Sequence, residues 1–171
     1  MVKSLKHLKK DIPDVEFRFM GNGEYLSDVL SLARKLSVEN HVTYLGFVSF
    51  KDMIKEILSA DIAVVPIKKN PYSVLVHTNK MYEYIALNQP VIISKLDSVA
   101  AYFSDNSLLF FEPDDDVDLA RKLKYAYDCP EEMNRRVGIS KSIYQNYLWK
   151  HEKKKYLQAY YNILNKGKGF S

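Results

Sequence analysis

The sequence predicts an α/β fold: a parallel sheet flanked by helices. Three observations carry that expectation. Strand-like and helix-like segments alternate from residue 15 to residue 111, the order that right-handed crossovers between parallel strands produce. The stretch Asp61-Ile62-Ala63-Val64-Val65-Pro66 is continuously apolar at its centre, as expected of a strand covered by helices on both faces. Glycines stop the first two strand candidates, and glycine is the default residue for a sharp change of backbone direction.

The elements follow in order. Val15 to Met20 reads as a strand ended by Gly21-Asn22-Gly23, and Tyr25 to Leu36 as a helix with Leu26, Val29, Leu30 and Ala33 at helical spacing. His41 to Leu45 is a second strand, closed by Gly46, and Asp52 to Ser59 a short helix. Asp61 to Pro66 is the third strand, and a loop from Ile67 to His77 leads into a helix over Asn79–Leu87. Val91-Ile92-Ile93 and Leu108-Leu109-Phe110-Phe111 complete the strands. Helices are expected over Val117–Tyr127, Glu131–Tyr147 and Lys150–Leu164. Residues 165–171, with Gly167-Lys168-Gly169, read as a frayed tail.

Composition limits the function classes. A chain of 171 residues, 47% hydrophobic, suits one domain spanning 1–171. The single cysteine, Cys129, excludes an internal disulfide framework and fits a reducing compartment. No apolar run approaches the roughly 20 residues that span a bilayer, and the Lys-rich start, Lys3 to Lys10, is no signal peptide. The expected location is cytoplasmic. The net charge of +4 gathers at the two ends, in Lys3 to Lys10 and Lys150 to Lys168. Such runs are solvated helix faces or contacts to phosphate-rich surfaces, a peripheral membrane contact among them. The 13 tyrosines are scattered and no helix-turn-helix is legible, so nucleic acid is not an expected partner.

The segment from Thr78 to Ile93 is the richest in chemistry. It reads as a cap, a helix with one off-face carboxylate, a turn and a buried strand. A helix N-terminus attracts phosphate through its free N–H groups and its dipole. Asn79 and Glu83 lie four apart, so they share a face one turn (about 5.4 Å) apart. A diphosphate at the first turn could be followed by a ribose at the second. Met81, Tyr84 and Ile85 form a separate, core-facing stripe, leaving Glu83 near the rim. Asp114-Asp115-Asp116 reads as a loop leading into a helix cap; one extended stretch cannot converge all three carboxylates on a metal.

Five segments in this order carry a resemblance: Phe19-Met20-Gly21-Asn22-Gly23, Val42 to Val48, Ala60 to Pro66, Asn79 to Ala86, and Pro90-Val91-Ile92. Together they resemble the C-terminal half of a group 1 glycosyltransferase, the retaining GT-B class with two Rossmann-like domains (family 4). The resemblance runs from about Leu5 to Leu164 and includes Tyr147-Leu148-Trp149 before the last helix.

The resemblance implies a Rossmann-like domain that binds a nucleotide-sugar donor. Sugar would pass from a nucleoside diphosphate to a saccharide or lipid-linked acceptor. Gly21 and Gly23 would let the donor approach the backbone, and Val48 would present backbone groups to the base. Asn79 and Lys80, with Thr78, would face the diphosphate, and Glu83 would hold the ribose. No cofactor or metal is expected, because lysine, dipole and N–H donors can stabilise the departing diphosphate. No catalytic residue is assigned. In place of the family's first glutamate stands Leu75, so His77 or backbone groups would contact the sugar.

The family's domain opens with a strand that would be central in the usual order 3-2-1-4-5-6, and this chain begins inside the helix that follows it. The expectation is therefore a sheet with its first strand missing, its Val15–Met20 and Ile62–Pro66 edges facing each other. The missing strand would be lost or supplied in trans, the N-terminal acceptor domain would be supplied in cis or in trans, and the chain alone would be inactive. An alternative is a non-catalytic nucleotide-binding or assembly module derived from such an enzyme. A dinucleotide-dependent oxidoreductase is disfavoured because Leu26 stands where a third glycine is needed.

Overall fold

The computed structural model describes residues 1–75 and 77–166, with only the backbone of Lys166. Its elements are α1 (Val2–Leu8), β1 (Phe17–Phe19), α2 (Leu26–Lys35), β2 (Val42–Tyr44), α3 (Phe50–Ser59), β3 (Ala63–Val65), α4 (Asn79–Ala86), β4 (Val91–Ser94), α5 (Asp97–Ala100), β5 (Leu109–Phe111), α6 (Asp116–Asp128), α7 (Pro130–Gln145) and α8 (Trp149–Lys166). All three strand pairings are parallel. Alternation in the sequence therefore became a parallel α/β architecture, as expected.

The inner strands show why their sequences are apolar throughout. Successive side chains point to opposite faces. Val91 and Ile93 of β4, with Phe110 of β5, join the core cluster beneath Met81 and Ile85 of α4. Ile92, Leu109 and Phe111 join the opposite cluster with Leu5 and Leu8 of α1 and Leu119 and Leu123 of α6. Every residue of β4 and β5 is buried.

The sheet is in two pieces: β1 pairs with β2, and β3-β4-β5 form a separate ladder. Among the described residues, no backbone hydrogen bond joins β1 to β3. Residues 2–8 form α1 and supply no strand. The facing edges are unpaired, as the sequence suggested. One core nevertheless serves both pieces, since Phe17 of β1 and the partly buried Ile62 and Val64 beside it belong to the same cluster.

Several boundaries have local causes. α3 begins at Phe50, two residues earlier than expected, because the Ser49 side chain accepts from the Asp52 amide at 3.2 Å and donates to its carboxylate at 2.7 Å. The acidic run after β5 is a cap: Asp115 Oδ1 accepts from the amides of Val117 and Asp118, both at 2.9 Å. α5 was not anticipated, since its single turn carries no periodicity to read. α8 continues through Lys166, two residues into the stretch expected to fray. The remainder of that tail, 167–171, lies outside the described residues.

Candidate functional site

Parallel pairing brings the C-terminal ends of neighbouring strands together, and the residues singled out in the sequence lie on the connections leaving those ends. They form two groups. The first is built from the turns after β1 and β2. Gly21 donates its amide to the Gly46 carbonyl at 2.8 Å, and the Tyr44 hydroxyl bonds Gly21 O at 2.9 Å and Asn22 Oδ1 at 2.8 Å. Gly21 has φ 102° and Gly46 φ 70°, the left-handed region that costs other L-residues energy. A Cβ at Gly21, Gly23 or Gly46 would meet nothing within 4 Å. The space above these turns is open, so a ligand could reach the backbone. Val48 is half-buried beside Phe47, which is 84% exposed.

The second group surrounds the start of α4. Thr78 is its N-cap residue, with extended backbone, yet its side chain makes no capping bond and the first turn carries no acid. The free N–H groups and the positive end of the dipole are therefore not neutralised locally. Asn79, Lys80 and Glu83 are exposed. Among the described residues their side chains have no hydrogen-bond or ion-pair partner. Met81 and Ile85 are buried while Tyr84 is half-buried, which turns Asn79 and Glu83 outward as their spacing required.

His77 leads into this helix, and the structure gives it a defined partner. Its Nδ1 lies 2.8 Å from the Tyr82 hydroxyl. The two rings stack at 5.9 Å, and Tyr102 meets the imidazole edge-on at 5.0 Å. Tyr82 also packs on Phe103 and Tyr144, and Tyr102 on Tyr147. Burial first, and the neighbouring tyrosines second, push the Tyr82 phenol above its ordinary pKa. It stays protonated at neutral pH, and its hydroxyl and the His77 Nδ1 share one hydrogen bond.

Sequence reading did not gather these tyrosines, because they come from three distant segments with no shared spacing. Leu75, standing where the family pattern has an acid, is in a 3-10 turn and 83% exposed. The two groups are not linked by any hydrogen bond, ion pair or ring contact among the described residues. None of the eight predicted residues lines the cavity of about 750 Å³ between β1 and β3, or that of about 630 Å³ beside β5 and α6. The candidate site is an open surface at the strand ends.

Comparison with known proteins agrees with this architecture. A family model described as "Glycosyl transferases group 1" matches residues 1–142. No curated protein matches the chain. Among solved structures, a glycosyltransferase from Rickettsia africae is similar at 19% identity and TM-score 0.79, covering 95% of this chain and 43% of that one. HepE of Anabaena, in complex with UDP and glucose, is similar at 15% identity and TM-score 0.67, covering 83% of this chain and 38% of that one. The catalytic domain of the Helicobacter pylori cholesterol-α-glucosyltransferase is similar at 20% identity and TM-score 0.70, covering 85% of this chain and 87% of that one. The chain thus spans about two fifths of the length of the first two, and the shared fold is that of the C-terminal half of GT-B glycosyltransferases.

Proposed function

The chain belongs to the group 1 glycosyl transferases, and from that premise we propose that it is the donor-binding half of a retaining enzyme that moves a hexosyl group from a nucleoside diphosphate to a saccharide or lipid-linked acceptor. The observation that carries the reading is the start of α4. An uncapped helix end with no acid in its first turn presents Asn79, Lys80 and, one turn on, Glu83, all exposed.

The division of labour follows from charge. The diphosphate sits against the α4 amides with Thr78, Asn79 and Lys80, where charge builds as the sugar–phosphate bond breaks. Donors fixed there stabilise the departing group without a metal. Glu83 accepts from the ribose hydroxyls. Gly21, Gly23 and Val48 offer backbone to the nucleotide, and His77, oriented by Tyr82, faces the sugar through its Nε2. HepE, similar in fold, carries UDP and glucose in its structure, which favours a uridine donor. The acceptor binds a second domain, in cis or in trans, without which transfer does not proceed. The enzyme works in the cytoplasm or at a membrane face, in the assembly of a polysaccharide; no described helix is long and apolar enough to cross a bilayer.

A second reading, a non-catalytic nucleotide-binding or assembly module, is favoured by the unpaired edges of the divided sheet. Calorimetric titration of the chain with UDP, GDP and ADP tests both. Binding of one nucleotide, weakened about tenfold or more in Glu83→Ala by loss of charge-assisted hydrogen bonds, is the expected result. No binding by a folded chain would remove the donor-site reading and leave the assembly role.

A further inference from the structure

The connection leaving β4 carries chemistry that the candidate site does not use. β3 and β4 are parallel neighbours, with Val65 beside Ile93. The loop into α4 and the segment that opens α5 therefore leave the sheet side by side at its C-terminal end, where ligands of open α/β sheets bind. The two connections touch. α5 packs against the 3-10 turn Ser73–Leu75, and Tyr102, just beyond α5, meets the His77 ring at 5.0 Å. Leu96, Val99 and Phe103 fix the segment in place, fully buried in the cluster under α4. Asp97 and Tyr102 stay outside: Asp97 is exposed and Tyr102 is 49% exposed. The fold makes little use of Asp97. Its carboxylate has no hydrogen-bond or ion-pair partner among the described residues. It stands inside the first turn, while the N-cap is Leu96 and makes no side-chain capping bond. A helix of four residues also sums few peptide dipoles for an acid to offset.

We propose that Asp97 is a specificity-determining residue for the donor sugar. Its carboxylate accepts from two neighbouring hydroxyls of a neutral hexose, and the Tyr102 and His77 rings wall the sugar beside it. This inference rests on the donor-site reading and adds the sugar's contacts to it. Charge decides what the carboxylate can hold. A diphosphate at the start of α4 is anionic, so a second anion beside it is repelled. A neutral polyol is not, and hydroxyls donating to a carboxylate make the stronger, charge-assisted kind of hydrogen bond. No other acid of the adjoining loop is available for the task. Leu75 on the touching turn is apolar and 83% exposed, and no acidic residue occurs between Asp61 and Glu83. Glu83 itself lies one turn along α4, at the ribose. The donor is therefore a hexose that keeps a free pair of neighbouring hydroxyls on the edge facing α5.

The test is calorimetric titration of the whole chain with UDP, GDP and ADP and with their hexose esters, UDP-glucose, UDP-galactose, GDP-mannose and ADP-glucose. The quantity read is the affinity of each ester relative to its own diphosphate, which separates the sugar from the nucleotide. In the wild-type chain at least one ester should bind about tenfold tighter than its diphosphate, the scale of hydrogen bonds to a charged group. Asp97→Ala is an exposed change that leaves the fold alone. It should bring that ratio to about one while the bare diphosphate binds as well as before or slightly better, because a like charge has gone. A ratio unchanged in Asp97→Ala overturns the proposal. So does an equal loss for ester and diphosphate, which would make Asp97 a support of the fold. A wild-type chain in which no ester binds tighter than its diphosphate overturns it too. Failure of the donor-site reading looks different: neither diphosphate nor ester would bind, and the assignment of Asp97 would fall with it.

Discussion

At the scale of single residues, the three glycines separate two requirements that a sequence merges. Gly46 is needed by its own backbone, since φ is 70° and no neighbour crowds it. Gly46→Ala should therefore lower stability by about 1–2 kcal/mol through left-handed strain alone, read from urea unfolding. Gly23 has neither constraint: its φ lies outside the left-handed region and a Cβ there meets nothing. Gly23→Ala should leave stability within about 0.5 kcal/mol yet weaken UDP binding several-fold, because only a bound donor would feel the added methyl. Unchanged affinity in a folded Gly23→Ala chain would take the first turn out of the site.

At the scale of elements, α6 is locked to the sheet by one carboxylate. Asp118 is buried and accepts from the Glu112 amide at 2.8 Å, just after β5, and from Arg121. Burial by itself would raise its pKa, but the amide bond and the Arg121 guanidinium outweigh it and hold the carboxyl below its ordinary value. A carboxylate whose folded pKa is depressed adds stability above its unfolded pKa, about 3.9, and that stability is lost as pH falls through the folded value. The chain should therefore unfold more readily on acidification below about pH 4. Asp118→Asn should lower stability at neutral pH and flatten that acid limb in denaturation measured from pH 2 to 7.

The same elements show what the sequence could reveal. β4 and α4 were legible because strong periods govern them: both faces of β4 are covered, and Met81 and Ile85 repeat at helical spacing. α5, a single turn, was not. Nor was the ring cluster around His77, which Tyr82, Tyr102 and Tyr147 enter from separate segments. Local pattern encodes local structure, whereas a cluster of this kind exists only after the chain has folded. The turns at Gly21 and Gly46 and the start of α4 could be located in the sequence, but the hydrogen-bond partner of His77 required the structure.

At the scale of the molecule, stability is concentrated in two buried clusters on opposite faces of the divided sheet, and α8 belongs to neither. From Lys153 to Asn165 every residue of that helix is exposed, Tyr156, Tyr160, Ile163 and Leu164 among them. Helices in proteins owe most of their stability to a packed face, and along Lys153 to Asn165 this one buries none. Trp149 at its start is 66% exposed and anchors nothing buried, contrary to the packing role its size suggests. Ending the chain at Leu148 should therefore change unfolding stability by less than about 0.5 kcal/mol, the range of surface changes, and should leave the near-ultraviolet signal of the His77 tyrosines intact. A larger loss would mean that α8 folds back onto the body in solution and that its apolar face takes part in the core.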